Sequence, residues 1–522
     1  MKTLKQLIHG LEIFGASGGP LDVHVSDVCY DSRQAKKGSL FVCVPGTRTD
    51  GHKFVDDAVS RGAVAIVAQT DMPAGFQAGF VRVRDSRAAL AAISANFYDH
   101  PASRLNLIGI TGTNGKTSTS LLIESILRSG GSKPGVLGTL AYRWAENQIP
   151  APMTTPESLD LQRLFSRMLQ DGVSHVVMEV SSHALALGRI TGCEFRTGVF
   201  TNLSQDHLDF HCTMEEYFAA KKLLFSSYLD PQLSAAVINE DDDHGRRLIE
   251  SGVRAARIIR YSGGVSPEPR AGKEKDIVFA QEARFGPGGI TAKVHTPIGL
   301  VKVDSPLMGR LNLYNVLAAI SAAVSLDVEP GAIEEGIRTL SNVDGRLERV
   351  AIPDRYGFQV VVDYAHTPDA MEKALACLRE MTEKKLIAVF GCGGDRDKGK
   401  RPIMGKVAAE RADLVIITSD NPRSEPSDSI VDEIEAGVKQ AGLPPFRNAG
   451  EMLPGKGYIR EVDRRKAIEI ALALGCPGDV IFIGGKGHET YQIVGTLRHS
   501  FDDRVVVKEY FERLKCHENS DQ

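Results

Sequence analysis

The run Gly112, Thr113, Asn114, Gly115, Lys116, Thr117, Ser118 gathers residues that handle polyphosphate. Two glycines let successive backbone N–H groups turn inward around an anion. A lysine reaches the outer phosphates, and the hydroxyl beside it can ligate a divalent cation. The spacing departs from GxxxxGK(S/T), because Ile110 stands where the first glycine belongs. Without a ligand the same residues make a glycine-rich strand–helix turn. Glu179, in "MEVSSH", is the next candidate. A carboxylate ending an apolar run can complete a metal site beside such a loop, or stand solvated at a strand end. "TNLSQDHLDFH" (201–211) concentrates Asp206, His207, Asp209 and His211. Imidazole and carboxylate together can ligate a second cation, or cap the turn that follows. "YFAAKKLLF" (217–225) puts Lys221 and Lys222 on an apolar helix. Composition alone makes these surface lysines whose stems cover apolar area while the ammonium stays in water.

The last third of the chain offers a second group. "GCGGDRDKGKRP" (391–402) lacks the third glycine of a dinucleotide fingerprint, and charges fill the start of its helix. It suits an anionic ligand instead. "SDNPRSEP" (419–426) and "GGKGHETYQ" (484–492) add Arg423, a lysine, backbone amides and Glu489. Each alone could be a capping turn. At the ends of neighbouring strands they would form a ligand face, because open α/β sheets bind at the carboxyl ends of their strands.

Strands must hold these residues, and the apolar runs supply them. "LNLIGIT" (105–111) leads into the glycine-rich turn, and Leu121, Leu122, Ser125 and Ile126 continue it as a helix. "HVVMEV" (175–180), "TGVFTN" (197–202) and "AAVINE" (235–240) alternate with helices, the pattern of a parallel α/β sheet. Residues 265–305, with "GGITAKVHTPIG", read as a small antiparallel hairpin region. "FQVVVDYA", "KLIAVFG", "DLVIIT" and "DVIFIGG" predict a doubly wound domain. Each of these strands is expected to lead through a polar loop (363–369, 391–402, 419–426, 484–491) into a helix. Near the N-terminus, 38–45 and 63–68 read as strands around a helix that ends at Gly62. A further helix runs from near Ser86 and stops by His100, ahead of Pro101. Residues 101–104 read as a linker. The expected fold is α/β in three domains. These are a smaller N-terminal α/β domain (1–103), a central P-loop domain with a mainly parallel sheet (104–343), and a C-terminal Rossmann-like, doubly wound domain (344–522).

Composition bounds the function. A chain of 522 residues is too long for one ordinary domain. With 42% hydrophobic and 25% charged residues it is globular, which excludes disorder, collagen and coiled coil as its main theme. A net charge of −4 shows no overall Lys/Arg excess and argues against a nucleic-acid partner, though a local basic groove stays open. The nearest candidate for a membrane span, 311–326, is broken by Asn312 and Asn315, so no membrane insertion is expected. Leu4, Leu7, Ile8 and Leu11 fall at helical spacing among polar residues, which reads as a helix and not a signal peptide. Eight cysteines form no CxxC pair, which fits a reducing cytoplasm.

In order along the chain stand "DSR" (31–33), "GTNGKTS", "TTPES" (154–158), "EVSSHAL" (179–185), "TNLSQDHLDFH", "AAK" (219–221), "DGRLE" (344–348), "DYAHTPDA" (363–370), "GDRDKGKRP", "DNPR" (420–423) and "GKGHE" (485–489). Together these resemble the Mur ligase family, cytoplasmic ATP-dependent amide-forming enzymes of peptidoglycan synthesis. Within it they resemble the members that use meso-2,6-diaminopimelate. The resemblance spans all three domains, and the shortened loop spacing is itself the family's form.

The resemblance implies that the N-terminal domain holds the uridine diphosphate end of UDP-N-acetylmuramoyl-L-alanyl-D-glutamate near Ser32. Thr154, Thr155, Ser181 and Arg189 would hold its muramoyl-dipeptide. ATP would lie on 112–118, oriented by Asn315, Arg346 and Asp363. Thr117 and Glu179 would bind one Mg²⁺, and His207 with Glu179 a second. A carbamylated Lys221 would add an anionic oxygen ligand, and Lys116, Lys221 and His207 would form the catalytic set. Diaminopimelate would lie on Arg396, Asp420, Asn421, Pro422, Arg423, Gly485 and Glu489, with Arg423 meeting the distal carboxylate that L-lysine lacks. A lysine-adding muramoyl ligase or a folylpolyglutamate-synthase-like ligase is the near alternative, against which "DSR" and "DNPR" argue. A P-loop switch without ligase chemistry is the distant one.

Overall fold

The computed structural model describes the chain except residues 18, 47–48, 72–77, 265–275, 287, 447–454 and 521–522, and describes only the backbone of 516–520. At its centre lies an 11-stranded sheet. The parallel part runs, in spatial order, Pro134–Leu137, His175–Glu179, Asn106–Thr111, Thr197–Phe200, Ala235–Asn239, Arg257–Ser262 and Ile277–Gly286. Its middle strands are near-continuous apolar runs, because helices cover both faces and leave no solvent side to alternate towards. Parallel pairing sets Glu179 beside Ile110, and Phe200 beside Thr111. One register therefore delivers the glycine-rich turn, Glu179 and the segment after Phe200 to the same edge of the sheet.

The helix Lys116–Ser129 leaves the turn and packs against the helix Gly309–Ser325. The second helix is buried along most of its length. Its asparagines face the turn rather than interrupting a membrane span, and among the described residues no helix is long and apolar enough to cross a membrane. The region expected as antiparallel hairpins is antiparallel where described, and it extends the central sheet. Beyond the undescribed 265–275 and 287, it forms Ile277–Gly286, Gly289–Thr296 and Gly299–Ser305, an antiparallel meander. Its first strand pairs parallel with Arg257–Ser262, so Ile290, Val294, Val301 and Val303 join the central core.

The C-terminal sheet orders its strands Glu348–Val350, Gln359–Asp363, Val480–Gly484, Leu386–Phe390, Leu414–Ile417 and Gly457–Arg460. The four expected strands are its parallel, doubly wound centre. Two edge strands, 348–350 and 457–460, were too short and mixed in composition to stand out. The helix expected directly after the loop at 484–491 is preceded by a hairpin, Tyr491–Val494 with Leu497–Ser500. Gly495, at φ +60°, closes it in the left-handed region that glycine reaches without strain.

The N-terminal sheet has five strands, with Asp27–Cys29, Ser39–Val42, Ala63–Ala68 and Gly79–Val83 parallel and Ile13–Ser17 antiparallel at one edge. Here three expectations are corrected. The helix over 50–62 splits into a 3-10 turn, Gly51–Phe54, capped by Asp50, and a short helix, Val55–Ser60. Residues 101–104 form no linker but a 3-10 turn whose Pro101 and Ala102 are buried. The first helix spans only Leu4–Leu7, since Gly10 at φ +83° redirects the chain before Leu11.

One buried ion pair fixes the ligand-facing edge of the C-terminal sheet. Arg464 donates from Nε and Nη2 to the Asp503 carboxylate at 2.8 and 2.7 Å, and both side chains are wholly buried. The same guanidinium donates to the Ser419 carbonyl at 3.3 Å and the Gly484 carbonyl at 3.0 Å, at the ends of two parallel strands. Arg464→Met should lower the unfolding free energy by about 3–5 kcal/mol, because it leaves Asp503 buried and unpaired. Adding Asp503→Leu should restore most of the loss. Urea denaturation midpoints check both, and a single variant as stable as wild type would contradict the role given to this pair.

Candidate active site

A cavity of about 480 Å³ opens where the central sheet meets the C-terminal sheet. Residues 113–118 line one wall. Gly112 and Gly115 sit at φ +148° and +86°. A Cβ on Gly112 would lie 1.9 Å from Thr201 Oγ1, and one on Gly115 would lie 2.3 Å from Asn315 Oδ1. Only glycine lets the loop come that close to both neighbours. The N–H groups of Thr113 and Asn114 are already taken by Asn202, through its carbonyl at 2.9 Å and its Oδ1 at 3.0 Å. The helix that follows has no side-chain N-cap. Its first-turn N–H groups have no intrahelical partner by geometry, so they form an anion site with the positive end of the helix behind them.

Lys116 folds back over this loop, donating to the carbonyls of Gly112 and Thr113 at 2.9 Å each. Lys221 donates to the same Gly112 carbonyl at 2.8 Å and is fully buried. That corrects the surface placement its composition suggested, whereas Lys222 lies nearer solvent. Burial, and then the charge of Lys116, push Lys221 well below the ordinary lysine range, with Asp206 opposing. Lys116 is also lowered, mainly by burial, with Glu179 working the other way.

Glu179 is buried at its strand end rather than solvated. Its Oε1 accepts from Thr117 Oγ1 at 3.0 Å and from the Thr139 N–H at 2.9 Å, and its Oε2 accepts from Thr139 Oγ1 at 3.1 Å. Two oxygen ligands are thus aligned side by side, a donor set that fits a hard cation. Asp206 and His207 line the cavity, Asp209 is exposed, and His211 packs against Tyr217 away from it. Desolvation within the cavity lowers the His207 pKa, with Asp206 opposing. Thr154 and Ser181 line the cavity, while Thr155 is interior, bonding the Glu179 carbonyl at 2.9 Å. Arg189 donates to the Thr155 carbonyl at 3.2 Å and pairs with Glu157 at 2.8 Å. Ser32 is buried at the start of a 3-10 turn in the N-terminal sheet unit and does not line this cavity.

The opposite wall comes from the C-terminal sheet and the segment leading into it. Arg346 and Asp363 reach the cavity from this side, while Asn315, on the central helix Gly309–Ser325, reaches it from beside Gly115. Arg346 stacks on Tyr364, its guanidinium carbon 4.8 Å from the ring centroid, and its buried Nε has no hydrogen-bond partner. Asp363 accepts from the N–H groups of Leu347 at 2.6 Å and Ala365 at 2.7 Å, yet burial still raises its pKa. Tyr364, given no role from sequence, lies against His488 at 5.1 Å and so links the cavity to the 485–489 loop.

That loop belongs to a second cluster. Lys486, the lysine of "GGKGHETYQ", is fully buried and donates to Asp420 Oδ1, Asn421 Oδ1 and Glu489 Oε2 at 3.3, 3.1 and 3.1 Å. Asn421 Nδ2 donates to the same Glu489 oxygen at 2.8 Å. A Cβ on Gly485 would lie 2.9 Å from Asp420 Oδ2. Arg423, following buried Pro422, sits at φ +52° and is fixed by two backbone bonds to the hairpin, with Ile493 at 3.1 Å and Gly495 at 2.7 Å. Its guanidinium donates to the Gly394 carbonyl at 2.7 Å. Arg396, on the neighbouring loop, is exposed. The cluster thus offers two carboxylates, a buried ammonium and two guanidinium groups around one strand-end face, a set suited to an amino acid.

Comparison with known proteins gives the family of the chain. Residues 24–98 match the model of the Mur ligase family, catalytic domain. Residues 110–323 match the Mur ligase middle domain, and 345–487 match the Mur ligase, glutamate ligase domain. A Geobacter metallireducens protein named UDP-N-acetylmuramoyl-L-alanyl-D-glutamate–2,6-diaminopimelate ligase is 44% identical over 507 residues, covering 95% of this chain and 96% of its own. A solved structure of a ligase of the same name aligns over 99% of this chain and 100% of its own, with a TM-score of 0.68 and 30% identity. A MurF ligase from Thermotoga maritima, solved with ADP, aligns over 94% of this chain and 97% of its own at a TM-score of 0.58 and 19% identity, a likeness of fold.

The site also sets an acid limit. Burial, with Arg346 and Arg504 nearby, lowers His488 from 6.5 to about 4. The folded protein therefore binds this proton less readily than the unfolded chain does. Stability should fall as the pH drops from about 6.5 towards about 4, by at most about 3 kcal/mol from this group. Denaturation midpoints measured between pH 7 and 4 should show the slope, and His488→Gln should flatten it. An unchanged slope in that variant would contradict the assignment.

Proposed function

The chain belongs to the Mur ligase family, and from that premise we propose that it joins meso-diaminopimelate to UDP-N-acetylmuramoyl-L-alanyl-D-glutamate, using ATP, in cytoplasmic peptidoglycan precursor synthesis. Its domains are then 1–103 for the uridine diphosphate end, 104–343 for ATP and 344–522 for the amino acid. One observation carries the reading. A single cavity joins the phosphate loop to Arg346 and Asp363 at the C-terminal sheet, whose strand ends also present Asp420, Arg423 and Glu489. A nucleotide switch has no use for that second face.

The reaction follows from the charges. ATP transfers its terminal phosphoryl group to the free carboxylate of the substrate's D-glutamate, releasing ADP. The amine of diaminopimelate attacks the acyl phosphate, and the tetrahedral intermediate expels phosphate to leave the amide. The first step brings two anions together, so cationic stabilisation of the developing charge governs its rate. Lys116 can swing from its two carbonyls onto the transferring group. Arg346 offers its unpartnered Nε to a phosphate oxygen. Thr117, Glu179 and His207 would hold Mg²⁺, which when bound supplies further neutralisation of phosphate charge. Thr154, Ser181 and Arg189 would orient the dipeptide. Ser32, in the N-terminal domain, would meet the uridine diphosphate end. Asn315 and Asp363 would position the nucleotide, and the C-terminal wall would exclude the water that hydrolyses an acyl phosphate.

Lys221 fits an anionic role once carbamylated. Its neutral amine is the form that adds CO₂, and its burial beside Lys116 favours that form. Lys221→Ala should be nearly inactive and partly rescued by a short carboxylate that fills the space. Turnover near wild type, or no rescue in a folded variant, would refute the role.

Arg423 would set the choice of amino acid, pairing bidentately with the distal carboxylate while Asp420 and Glu489 face the ammonium groups. Arg396 would take the other carboxylate, and Asn421, Pro422 and Gly485 would shape the turn. Measuring ADP release with the dipeptide, wild type should use meso-diaminopimelate and discriminate against L-lysine. Arg423→Ala should lose roughly two to three orders of magnitude on diaminopimelate, the scale of a broken buried charge pair, and far less on L-lysine. Preference for L-lysine in wild type, or equal losses on both, would overturn the selectivity assignment.

A further inference from the structure

Asp369, a carboxylate that the reaction described above does not use, connects the nucleotide loop to the C-terminal sheet unit. It is the second residue of the helix Pro368–Met381, which Thr367 caps. One oxygen, Oδ2, accepts from Ser204 Oγ at 2.7 Å, Lys373 Nζ at 2.9 Å and Asn114 Nδ2 at 3.1 Å. Two ordinary effects account for part of this. An acid in the first turn of a helix is favoured by the helix dipole, and Lys373 is its partner one turn on. Neither accounts for Asn114 and Ser204, which belong to the central sheet unit.

Both residues are tied to the loop, Asn114 as part of it and Ser204 through the Thr113 hydroxyl. The Asn114 N–H donates to Asn202 Oδ1 at 3.0 Å, and its carbonyl accepts from Thr201 Oγ1 at 2.7 Å and Asn202 Nδ2 at 3.1 Å. The main chain of Asn114 is thereby fixed, and only its side chain reaches across. The Ser204 N–H donates to Thr113 Oγ1 at 3.0 Å, and Thr113 Oγ1 returns a bond to the Ser204 carbonyl at 3.2 Å. Asp369 thus grips the loop at two consecutive residues, one directly and one through Ser204.

We infer that Asp369 is a positioning residue that couples docking of the C-terminal domain to the shape of the nucleotide loop. This rests on the reading of residues 112–118 as the ATP loop. The coupling is reciprocal. If docking pre-shapes the loop for ATP, ATP must favour docking by the same free energy. The donors to Asp369 are Asn114, Ser204 and Lys373, none of them in the amino-acid cluster, so the effect should fall on ATP and spare diaminopimelate.

Steady-state kinetics of the full-length enzyme, with ATP, dipeptide and diaminopimelate varied in turn, tests this. Asp369→Ala should raise KM for ATP roughly tenfold, the low end of the scale for losing one hydrogen bond to a charged group, and leave KM for diaminopimelate unchanged. Asp369→Asn, which keeps an acceptor oxygen, should recover part of the loss. Ser204→Ala approaches the contact from the other domain. It should raise KM for ATP alone, and combined with Asp369→Ala it should add less than its separate effect. An unchanged KM for ATP, equal rises for all three substrates, or strictly additive effects would overturn the inference. Failure of wild type to bind ATP would instead overturn the reading of the loop beneath it.

Discussion

Two amino groups, of half-buried Lys116 and buried Lys221, meet at one carbonyl oxygen, that of Gly112. Much of the site follows from that meeting. Two like charges removed from water cannot both persist at ordinary strength. Lys116 faces Glu179 and the mouth of the cavity, where a polyphosphate can meet it. Lys221 lies behind, fully buried, and is the one driven towards the neutral amine. The repulsion thus acts on Lys221, favouring its neutral amine, while Lys116 is lowered mainly by burial and is opposed by Glu179. Gly112 must be glycine for this to happen, because any Cβ would strike Thr201 and force the shared carbonyl out of place.

The remaining architecture brings a second sheet to this point. Central strand register aligns Glu179 and residues 201–207 with the loop, and the C-terminal strands end in the amino-acid cluster. Tyr364 lies between the two regions. It is stacked under Arg346 on one side and touches His488 on the other. Arg464 and Asp503 hold the strand ends that carry the cluster. Charge is matched locally throughout, which is how a protein of net charge −4 can offer anionic substrates a cationic site.

The nucleotide loop was legible in the sequence because its chemistry is local. Seven consecutive residues carry it, and the apolar strand before and helix after confirm the context. Glu179 was legible for the same reason, as the polar end of an apolar run. The burial of Lys221 was not legible, since an apolar helix with two adjacent lysines looks the same whether it lies on the surface or in the core. Only the resemblance set Lys221 apart from Lys222. Lys486 and Tyr364 stand inside motifs that were noticed, yet their roles depend on loops from different strands folding together. The hairpin at 491–500 and the edge strands 348–350 and 457–460 were hidden by length and mixed composition. Residues 101–104 read as a linker because proline and serine suggest one, while the packing of Ala102 into the core is tertiary.

The central claim is that Lys116 and the surrounding burial hold Lys221 in its CO₂-reactive form. Equilibrating the protein with ¹³C-labelled bicarbonate near neutral pH and recording its carbon NMR spectrum tests this directly. Wild type should show a carbamate resonance that Lys221→Ala lacks. In Lys116→Ala the resonance should weaken, because removing the neighbouring charge lets Lys221 keep its proton and leaves the carbamate without its nearest cation. No resonance in wild type, or equal intensity with and without Lys116, would contradict the account.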